Sequence, residues 1–198
     1  MVPVESEEEH NPLASSTISI AIRPLDSSMN RAAFACTDDE LTKYFTGVGV
    51  SAQARTLEHD LAQGVTKAHV MLDRNTDEIL GFFTLSSLSI PRDHLPSAAM
   101  RRNQLSDIST TLLGRMAVCS RLEGKGYGGR LLIAAMLVSQ KAAEYVGSSA
   151  IVVDPKRDEL VPFYERYKFV RLKNPQRPLR MFLPMKTAAQ VAADAGLT

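Results

Sequence analysis

Four glycines lie within six positions of the stretch SRLEGKGYGGRLL at 120–132, where a strand pattern gives way to an aliphatic helical pattern. The first N–H groups of a helix have no partner inside it, and the aligned peptide dipoles leave about half a positive charge at that end. Glycines there let the backbone approach an anion closely. Arg121, Lys125 and Arg130 add positive side chains. The stretch therefore predicts a strand, loop and helix that bind an anion, and a diphosphate suits it.

Two familiar nucleotide-binding loops fit this spacing incompletely. The P-loop requires a lysine followed by serine or threonine, whereas Lys125 is followed by Gly126. The dinucleotide fingerprint GxGxxG does occur, as Gly124, Gly126 and Gly129, and Asp154 lies where a ribose-binding acid belongs. Several residues nevertheless separate the strand from the first glycine. An NAD(P)-dependent enzyme is therefore retained only as an alternative.

The hydropathy pattern along the chain predicts a single domain over residues 18–186. Strands are predicted at 18–23, 67–73, 79–89, 112–119, 149–154, near 169–172 and at 180–184, and helices at 37–45, 51–63, 129–145 and 158–167. Only the run from 112 to 154 has the crossover length that parallel pairing requires. The predicted fold class is α/β, a mixed and mostly antiparallel sheet of six or seven strands with a central parallel pair and helices on both faces.

Three segments flank or interrupt these elements. Residues 1–17 are polar and acidic and are expected to form a mobile tail, and the small residues of 187–198 are expected to form a C-terminal tail. Residues 90–111 contain two prolines and no sustained period, which predicts a long loop with one helical turn. Thr37 is expected to cap the first helix, because Glu40 follows three places later.

Composition and charge limit the classes of protein. No stretch reaches the roughly 18 apolar residues that a membrane helix needs, and the acidic N-terminus is unlike a secretory signal, so we expect a cytoplasmic protein without membrane contact. Cys36 and Cys119 are far apart and belong to no CxxC or Cys/His cluster, which supports neither a disulfide nor a metal site. Residues 1–100 hold 7 Lys/Arg against 14 Asp/Glu, whereas 101–198 hold 16 against 8. The basic half therefore suits a polyanion, either the phosphates of a cofactor or nucleic acid.

A third loop pattern fits better. Arg121, Gly124 and Gly126 match Arg or Gln, two residues, Gly, one residue, then Gly or Ala, directly between a strand and a helix. This resembles the coenzyme A signature of the GNAT family of N-acetyltransferases. The resemblance extends over 18–186 through LGRMAV, RLLIAAML, IVVD and FYERYKF, although members commonly have an acidic residue at the position of Cys119 and glycine at that of Lys168. It implies a GNAT-like fold, acetyl-CoA as co-substrate, and transfer of acetyl to a primary amine by direct attack.

A narrower resemblance concerns FACTDDELTKYF, the LP-containing loop before LLGRMAV, and FYERY. These look like the toxin acetyltransferases of bacterial toxin–antitoxin modules, which acetylate the amino group of aminoacyl-tRNA. The resemblance implies aminoacyl-tRNA as the favoured acceptor, a ribbon-helix-helix antitoxin as partner, and a homodimer. A small-molecule or protein N-acetyltransferase is the alternative. A non-catalytic acyl-CoA-binding module is a further one.

The same resemblance assigns site residues. Backbone groups of the strand at Met116, Ala117 and Val118 are expected to bind the pantetheine arm. The diphosphate is expected on the loop residues Arg121, Gly124, Lys125, Gly126, Tyr127, Gly128 and Gly129. Tyr164 is the expected general acid, because a phenol protonates a thiolate leaving group at neutral pH. Without the surrounding motif, Tyr164 would be interpreted as a core aromatic.

Other polar side chains are weaker candidates. Cys119 at a strand end fits a small buried hydrophobe better than a nucleophile, since no partner histidine is identifiable. His59 and His69 have no assigned role. Arg101, Arg102 and Arg177 could contact nucleic-acid phosphates, although isolated arginines are usually just solvated.

Overall fold

The computed structural model describes residues 18–102 and 106–196. The elements, in chain order, are β1 (Ile20–Pro24), α1 (Asp39–Thr46), α2 (Leu57–Ala62), β2 (Lys67–Asp73), β3 (Ile79–Pro91), α3 (Ala98–Arg101), β4 (Asp107–Val118), α4 (Tyr127–Ala143), β5 (Ala150–Val153), α5 (Val161–Arg166), β6 (Val170–Arg171), β7 (Met181–Pro184) and α6 (Met185–Asp194). Short 3-10 turns lie at Arg92–His94, Ser120–Leu122 and Asp158–Leu160. Along the described part of the chain, no helix has the length and apolar character to cross a membrane.

The strands form one seven-stranded sheet in the order β1-β2-β3-β4-β5-β7-β6. Every neighbouring pair is antiparallel except β4 and β5, which run parallel and are joined through α4. The predicted mixed sheet with one central parallel pair is therefore confirmed. The parallel pair creates an opening in the sheet, because β4 and β5 separate beyond their short paired stretch.

Helices cover both faces of the sheet, as predicted. On one face, Phe45 of α1 stacks on Phe82 of β3 with ring centroids 4.1 Å apart. On the other face, a Cβ added at Gly81 of β3 would lie 3.2 Å from Leu131 of α4. Because successive residues of a strand point to opposite faces, α1 and α4 pack on opposite sides. The core is continuous through the sheet between them.

The first helix begins one residue later than it would if Thr37 were its N-cap. Asp38 is the N-cap, and its carboxylate accepts hydrogen bonds from Glu40 N and Leu41 N at 3.0 and 3.1 Å. The Thr37 hydroxyl instead donates to the carboxylate of Glu123 at 2.9 Å. The expectation of a Thr37 cap is therefore wrong, because that side chain is committed to a contact distant in sequence.

The Asp38 cap gives a stability prediction. Asp38→Ala should lower the free energy of unfolding by about 1 kcal/mol, since two helix N–H groups lose their acceptor. Urea unfolding followed by circular dichroism would measure this. Asp39→Ala is the matched control, because it removes the same group one position later in the first turn. An equal loss in both variants would contradict the assignment.

Two other element boundaries differ from the prediction. The loop predicted at 90–111 is shorter than predicted, since β3 runs to Pro91 and β4 begins at Asp107, with Ile90 opposite Ile108. These residues pack in a second apolar cluster under the segment 92–101, together with Leu95. The helix predicted at 51–63 begins only at Leu57, after a cap by Thr56.

The C-terminal tail expected at 187–198 is instead helical as far as Asp194. Ala188 and Ala192 of α6 are buried, because residues four apart lie on one helix face and this face packs near α4. The small side chains of Ala188 and Ala192 permit this close approach. The expected N-terminal tail at 1–17 lies outside the described residues.

Candidate functional site

The site begins where β4 and β5 separate. Their parallel pairing covers only Thr111 to Leu113 on β4, opposite Ile151 to Val153 on β5. β4 continues for five more residues to Val118, still paired with β3. The last five residues of β4 therefore have a strand on one side only. Their other edge opens onto a cleft.

The direction of the backbone groups along this edge follows from the bonds on the β3 side. Cys119 N donates to the Leu80 carbonyl at 2.8 Å, and Arg115 N donates to a β3 side chain at 3.0 Å. Successive residues of a strand direct their backbone groups to opposite sides. The amides of Met116 and Val118 therefore point away from β3, into the cleft. They are available to hydrogen-bond an extended ligand lying beside β4.

The glycine loop, defined as residues 120–129, supplies a second set of free amides. Five of its N–H groups have no hydrogen-bond acceptor among the described residues: those of Arg121, Gly124, Gly126, Tyr127 and Gly128. The last three are consecutive and form the start of α4. Such a cluster at a helix N-terminus favours an anion by both hydrogen bonding and the helix dipole.

Two glycines of the loop are required by backbone conformation. Gly124 has φ of 71° and Gly126, the N-cap of α4, has φ of 84°. Both values lie in the left-handed region, which costs other residues about 1–2 kcal/mol. Gly129 is required by packing, because a Cβ there would collide with the Tyr167 hydroxyl. Gly128 has space for a side chain, so packing within the protein does not require glycine there. A side chain at this position would affect only a ligand that enters the cleft.

The cleft has a volume of about 800 Å³. It brings together most of the residues predicted for the site: Met116, Ala117, Val118, Gly124, Gly126, Gly128, Gly129 and Tyr164. Arg121, Lys125 and Tyr127 do not line it. The Arg121 guanidinium points away and forms an ion pair with Glu78 of the β2–β3 hairpin. Arg121 therefore holds the loop to the sheet, whatever its role toward a ligand.

Tyr164 lies on α5, which begins beyond the end of β5. Its ring packs edge-on against Phe163 and Phe169, with centroids 5.1 and 5.6 Å away. None of the hydrogen bonds formed among the described residues uses its hydroxyl. Burial raises the pKa of Tyr164 to about 12. The phenol is therefore protonated at neutral pH and free to donate.

The next residues after α5 show a departure from the usual pattern. Lys168 has φ of 69°, in the left-handed region that favours glycine. Its N–H donates to the carbonyl of Glu165 at 2.9 Å, which ends the helix. The position commonly occupied by glycine in the GNAT family thus keeps its backbone conformation here with a lysine side chain.

The ion pairs of the charged side chains at the cleft were missed by the sequence analysis, which named only Glu40, Asp154 and Arg177 among them, because the partners lie more than twenty residues apart. Lys156, after β5, donates to Asp38 at 2.9 Å and to Glu40 at 2.6 Å. In the same segment after β5, the Asp154 carboxylate accepts two hydrogen bonds of 2.6 Å from Arg180 and one of 3.0 Å from Arg177. Both Asp154 oxygens are occupied by arginines, which weakens its interpretation as a ribose ligand.

The remaining candidates are accounted for by packing. Cys119 is buried, and burial raises the pKa of its thiol, so it is protonated and unsuited to nucleophilic attack. His69 stacks on Phe83 with parallel rings 5.1 Å apart. Burial lowers the pKa of His69, which keeps the ring neutral. Neither residue lines the cleft.

No family model matches the chain. A tRNA-acetylating toxin of Mycobacterium tuberculosis (strain ATCC 25618 / H37Rv) is 34% identical over 116 residues, which are 59% of this chain and 68% of that protein. A probable toxin TacT of Sinorhizobium fredii (strain NBRC 101917 / NGR234) is 28% identical over 175 residues, covering 84% of this chain and 91% of its own length.

Solved structures of AtaT share the fold. AtaT complexed with acetyl-methionyl-tRNAfMet superimposes with a TM-score of 0.75 at 22% identity, covering 87% of this chain and 99% of its own. A tyrosine-to-phenylalanine variant of AtaT, bound to the C-terminus of the antitoxin AtaR and acetyl-CoA, gives a TM-score of 0.68 at 23% identity, with 87% and 97% covered.

Proposed function

Because this chain belongs to the GNAT toxin acetyltransferases, as its similarity to the tRNA-acetylating toxin shows, we propose that it acetylates the α-amino group of aminoacyl-tRNA with acetyl-CoA. The observation that carries this proposal is the arrangement of unpaired amides. Those of the glycine loop and those of the free β4 edge open onto the same cleft as the Tyr164 ring. The names of the relatives indicate tRNA as the class of acceptor. The unpaired amides that line the cleft suit the acetyl-CoA donor.

The amides match the parts of the donor in order along the chain. The cluster at Gly126, Tyr127 and Gly128 suits the diphosphate, because helix N-termini bind such anions. The outward amides of Met116 and Val118 suit the amide groups of the pantetheine arm, which would extend β4 as an added strand. The thioester then lies toward Tyr164, beyond the end of β5.

The chemistry follows from what these groups supply. The neutral amine attacks the thioester carbonyl, a C–N bond forms, and the C–S bond breaks. A backbone amide of β4 stabilises the negative charge that develops on the carbonyl oxygen. Tyr164 gives its proton to the departing thiolate, and the attacking nitrogen, which carries a positive charge after C–N bond formation, loses a proton to solvent. The Tyr164 phenolate then takes a proton back from solvent. Transfer is direct, so no side chain is acylated.

The raised pKa of Tyr164 gives a pH prediction. Because the pKa of Tyr164 is raised to about 12, its phenol remains protonated through pH 10. We therefore expect kcat to rise as the acceptor amine loses its proton and then to stay level through pH 10. Steady-state rates with a stable amide-linked acceptor, measured from pH 6 to 10, would test this. An alkaline decline with an apparent pKa below 9 would contradict Tyr164 as the acid.

Partners and location follow from the same proposal. The AtaT variant was solved with the C-terminus of its antitoxin, and we extend this to a ribbon-helix-helix antitoxin for the present chain. A homodimer and a cytoplasmic location, where aminoacyl-tRNA occurs, complete the proposal. Co-expression with a candidate antitoxin, followed by light scattering of the purified proteins, gives the composition and stoichiometry of both.

The acceptor is tested directly by incubation of the purified protein with total charged tRNA and isotopically labelled acetyl-CoA. Nuclease digestion and mass spectrometry should then identify N-acetyl-aminoacyl-adenosine. A panel of polyamines, amino acids and lysine peptides serves as the comparison. Label in that panel but not in tRNA would replace the tRNA proposal with a small-molecule or protein acetyltransferase.

A further inference from the structure

One arginine in the cleft is held in place but has its donors unused. Arg115 of β4 lines the cleft and is half-buried. Its guanidinium lies 3.7 Å from the centre of the Tyr44 ring. Among the described residues, none accepts a hydrogen bond from this guanidinium. A half-buried arginine with five N–H donors normally has a carboxylate or carbonyl partner.

The ring beneath Arg115 is itself fixed by buried bonds. Tyr44 is 5% exposed, and its hydroxyl donates to Asp60 at 2.8 Å. Asp60 is 2% exposed and also accepts from Arg55 Nε at 2.7 Å. The carboxylate of Asp60 is thus shared between a tyrosine and another arginine. The Arg115 guanidinium, stacked on Tyr44, lies within the electrostatic field of the Asp60 carboxylate but forms no hydrogen bond with it.

The position of Arg115 places it on the acceptor side of the cleft. β4 runs toward the glycine loop, so Arg115 precedes Val118 by three residues, about 10 Å along the strand. It is therefore remote from the diphosphate end. Its stacking on Tyr44 of α1 also places its side chain on the α1 face of the sheet, opposite to α4.

Of the four other cations that line the cleft, Arg157 and Arg166 are exposed, and the remaining two are committed to acids. Lys156 is bound to Asp38 and Glu40, and Arg177 is bound to Asp154. An acceptor with a phosphate would have to displace those acids to use either cation. Arg115 needs no such exchange, because its fork of donors is already oriented by the Tyr44 ring.

We propose that Arg115 binds a backbone phosphate at the 3′ end of the acceptor, and that Tyr44 and Asp60 are positioning residues for it. The inference rests on the proposed function for the identity of the acceptor. A guanidinium fork matches two phosphate oxygens, and partial burial strengthens the contact. The contact fixes where the aminoacyl group lies relative to the thioester.

The test uses two stable analogues of the acceptor end on the full-length protein loaded with coenzyme A. One is the trinucleotide CCA with an amide-linked methionine, and the other is the corresponding methionylamido-adenosine without phosphate. Arg115→Met should weaken calorimetric binding of the trinucleotide about 30-fold or more. Binding of the phosphate-free analogue should change by less than about threefold, and the Kd of acetyl-CoA should stay unchanged.

Three further variants separate a specific role from loss of charge or fold. Arg23→Met removes the same charge from exposed β1 and should leave all three affinities unchanged. Arg115→Lys should recover only part of the trinucleotide affinity, since lysine lacks the planar fork. Tyr44→Leu should weaken the trinucleotide several-fold without altering the Kd of acetyl-CoA, since it removes the stacking surface.

The outcomes distinguish this inference from the proposed function. Trinucleotide binding that depends on Arg115, without acetylation of any aminoacyl-tRNA, would support the phosphate site and refute the proposed function. Acetylation of aminoacyl-tRNA with unchanged trinucleotide affinity in Arg115→Met would support the proposed function and refute the phosphate site. Weaker acetyl-CoA binding in that variant would place Arg115 on the donor, and wild-type protein that does not bind the trinucleotide would also overturn the phosphate site.

Discussion

Tyr164→Phe is expected to lower kcat by about 100- to 1,000-fold, the usual contribution of a general acid. The ring would keep its edge-on contacts with Phe163 and Phe169, so packing should be unaffected. The Kd of acetyl-CoA should be unchanged, because the hydroxyl acts on the leaving thiolate and not on the diphosphate. Single-turnover kinetics with the purified protein would separate the chemical step from binding.

The matched control for this prediction is Tyr145→Phe. Tyr145 is 81% exposed at the end of α4, so loss of its hydroxyl should leave every rate unchanged. The dependence of the rate on the leaving group offers a second criterion. If an acyl donor with a more acidic thiol restores most of the rate of Tyr164→Phe, the proton is the missing contribution. If Tyr164→Phe retains full kcat, the assignment of the acid is refuted.

Gly128→Glu is expected to weaken acetyl-CoA binding about 100-fold or more, because like-charge pairs of the kind it creates cost several kcal/mol. A side chain at this position has room, since its Cβ would meet only Phe163 at 3.9 Å. The carboxylate would lie beside the free amides of the glycine loop and would oppose the diphosphate. Calorimetric titration with acetyl-CoA gives the change in Kd directly.

Gly147→Glu is the control with the same change in charge. It lies after α4, and a Cβ there would meet nothing within 4 Å. Melting temperatures of both variants should stay close to that of the wild type. Unchanged acetyl-CoA affinity in a folded Gly128→Glu variant would mean that the diphosphate does not bind at this helix end.

The backbone conformation proposed to bind the donor was predictable because its signals are local in sequence. Gly124 and Gly126 adopt positive φ, a strand precedes them and a helix follows at once. Every feature that defines the loop therefore lies within one short stretch of sequence. The parallel β4–β5 pair followed from the length of the crossover. Local pattern is sufficient here, since each of these features depends on neighbours along the chain.

The acceptor side was not predictable for the opposite reason. Arg115 meets Tyr44 across 71 positions, and Lys156 meets Asp38 across 118. Nothing near either residue in the sequence distinguishes it from a solvated charge. The boundary errors have a similar origin, because Thr37 is diverted to Glu123 and α6 packs against α4 and β5, which are distant in sequence.

The opening between β4 and β5 presents peptide groups of the unpaired β4 edge and side chains such as Arg115 and Lys156. Peptide groups are the same in every sequence that keeps the fold, whereas side chains are exchanged by single mutations. Under the proposed function, recognition of the donor by these peptide groups is insulated from mutational drift, and recognition of the acceptor by side chains is not. Descendants of such a protein can change which amine they modify while inheriting an unaltered acetyl source.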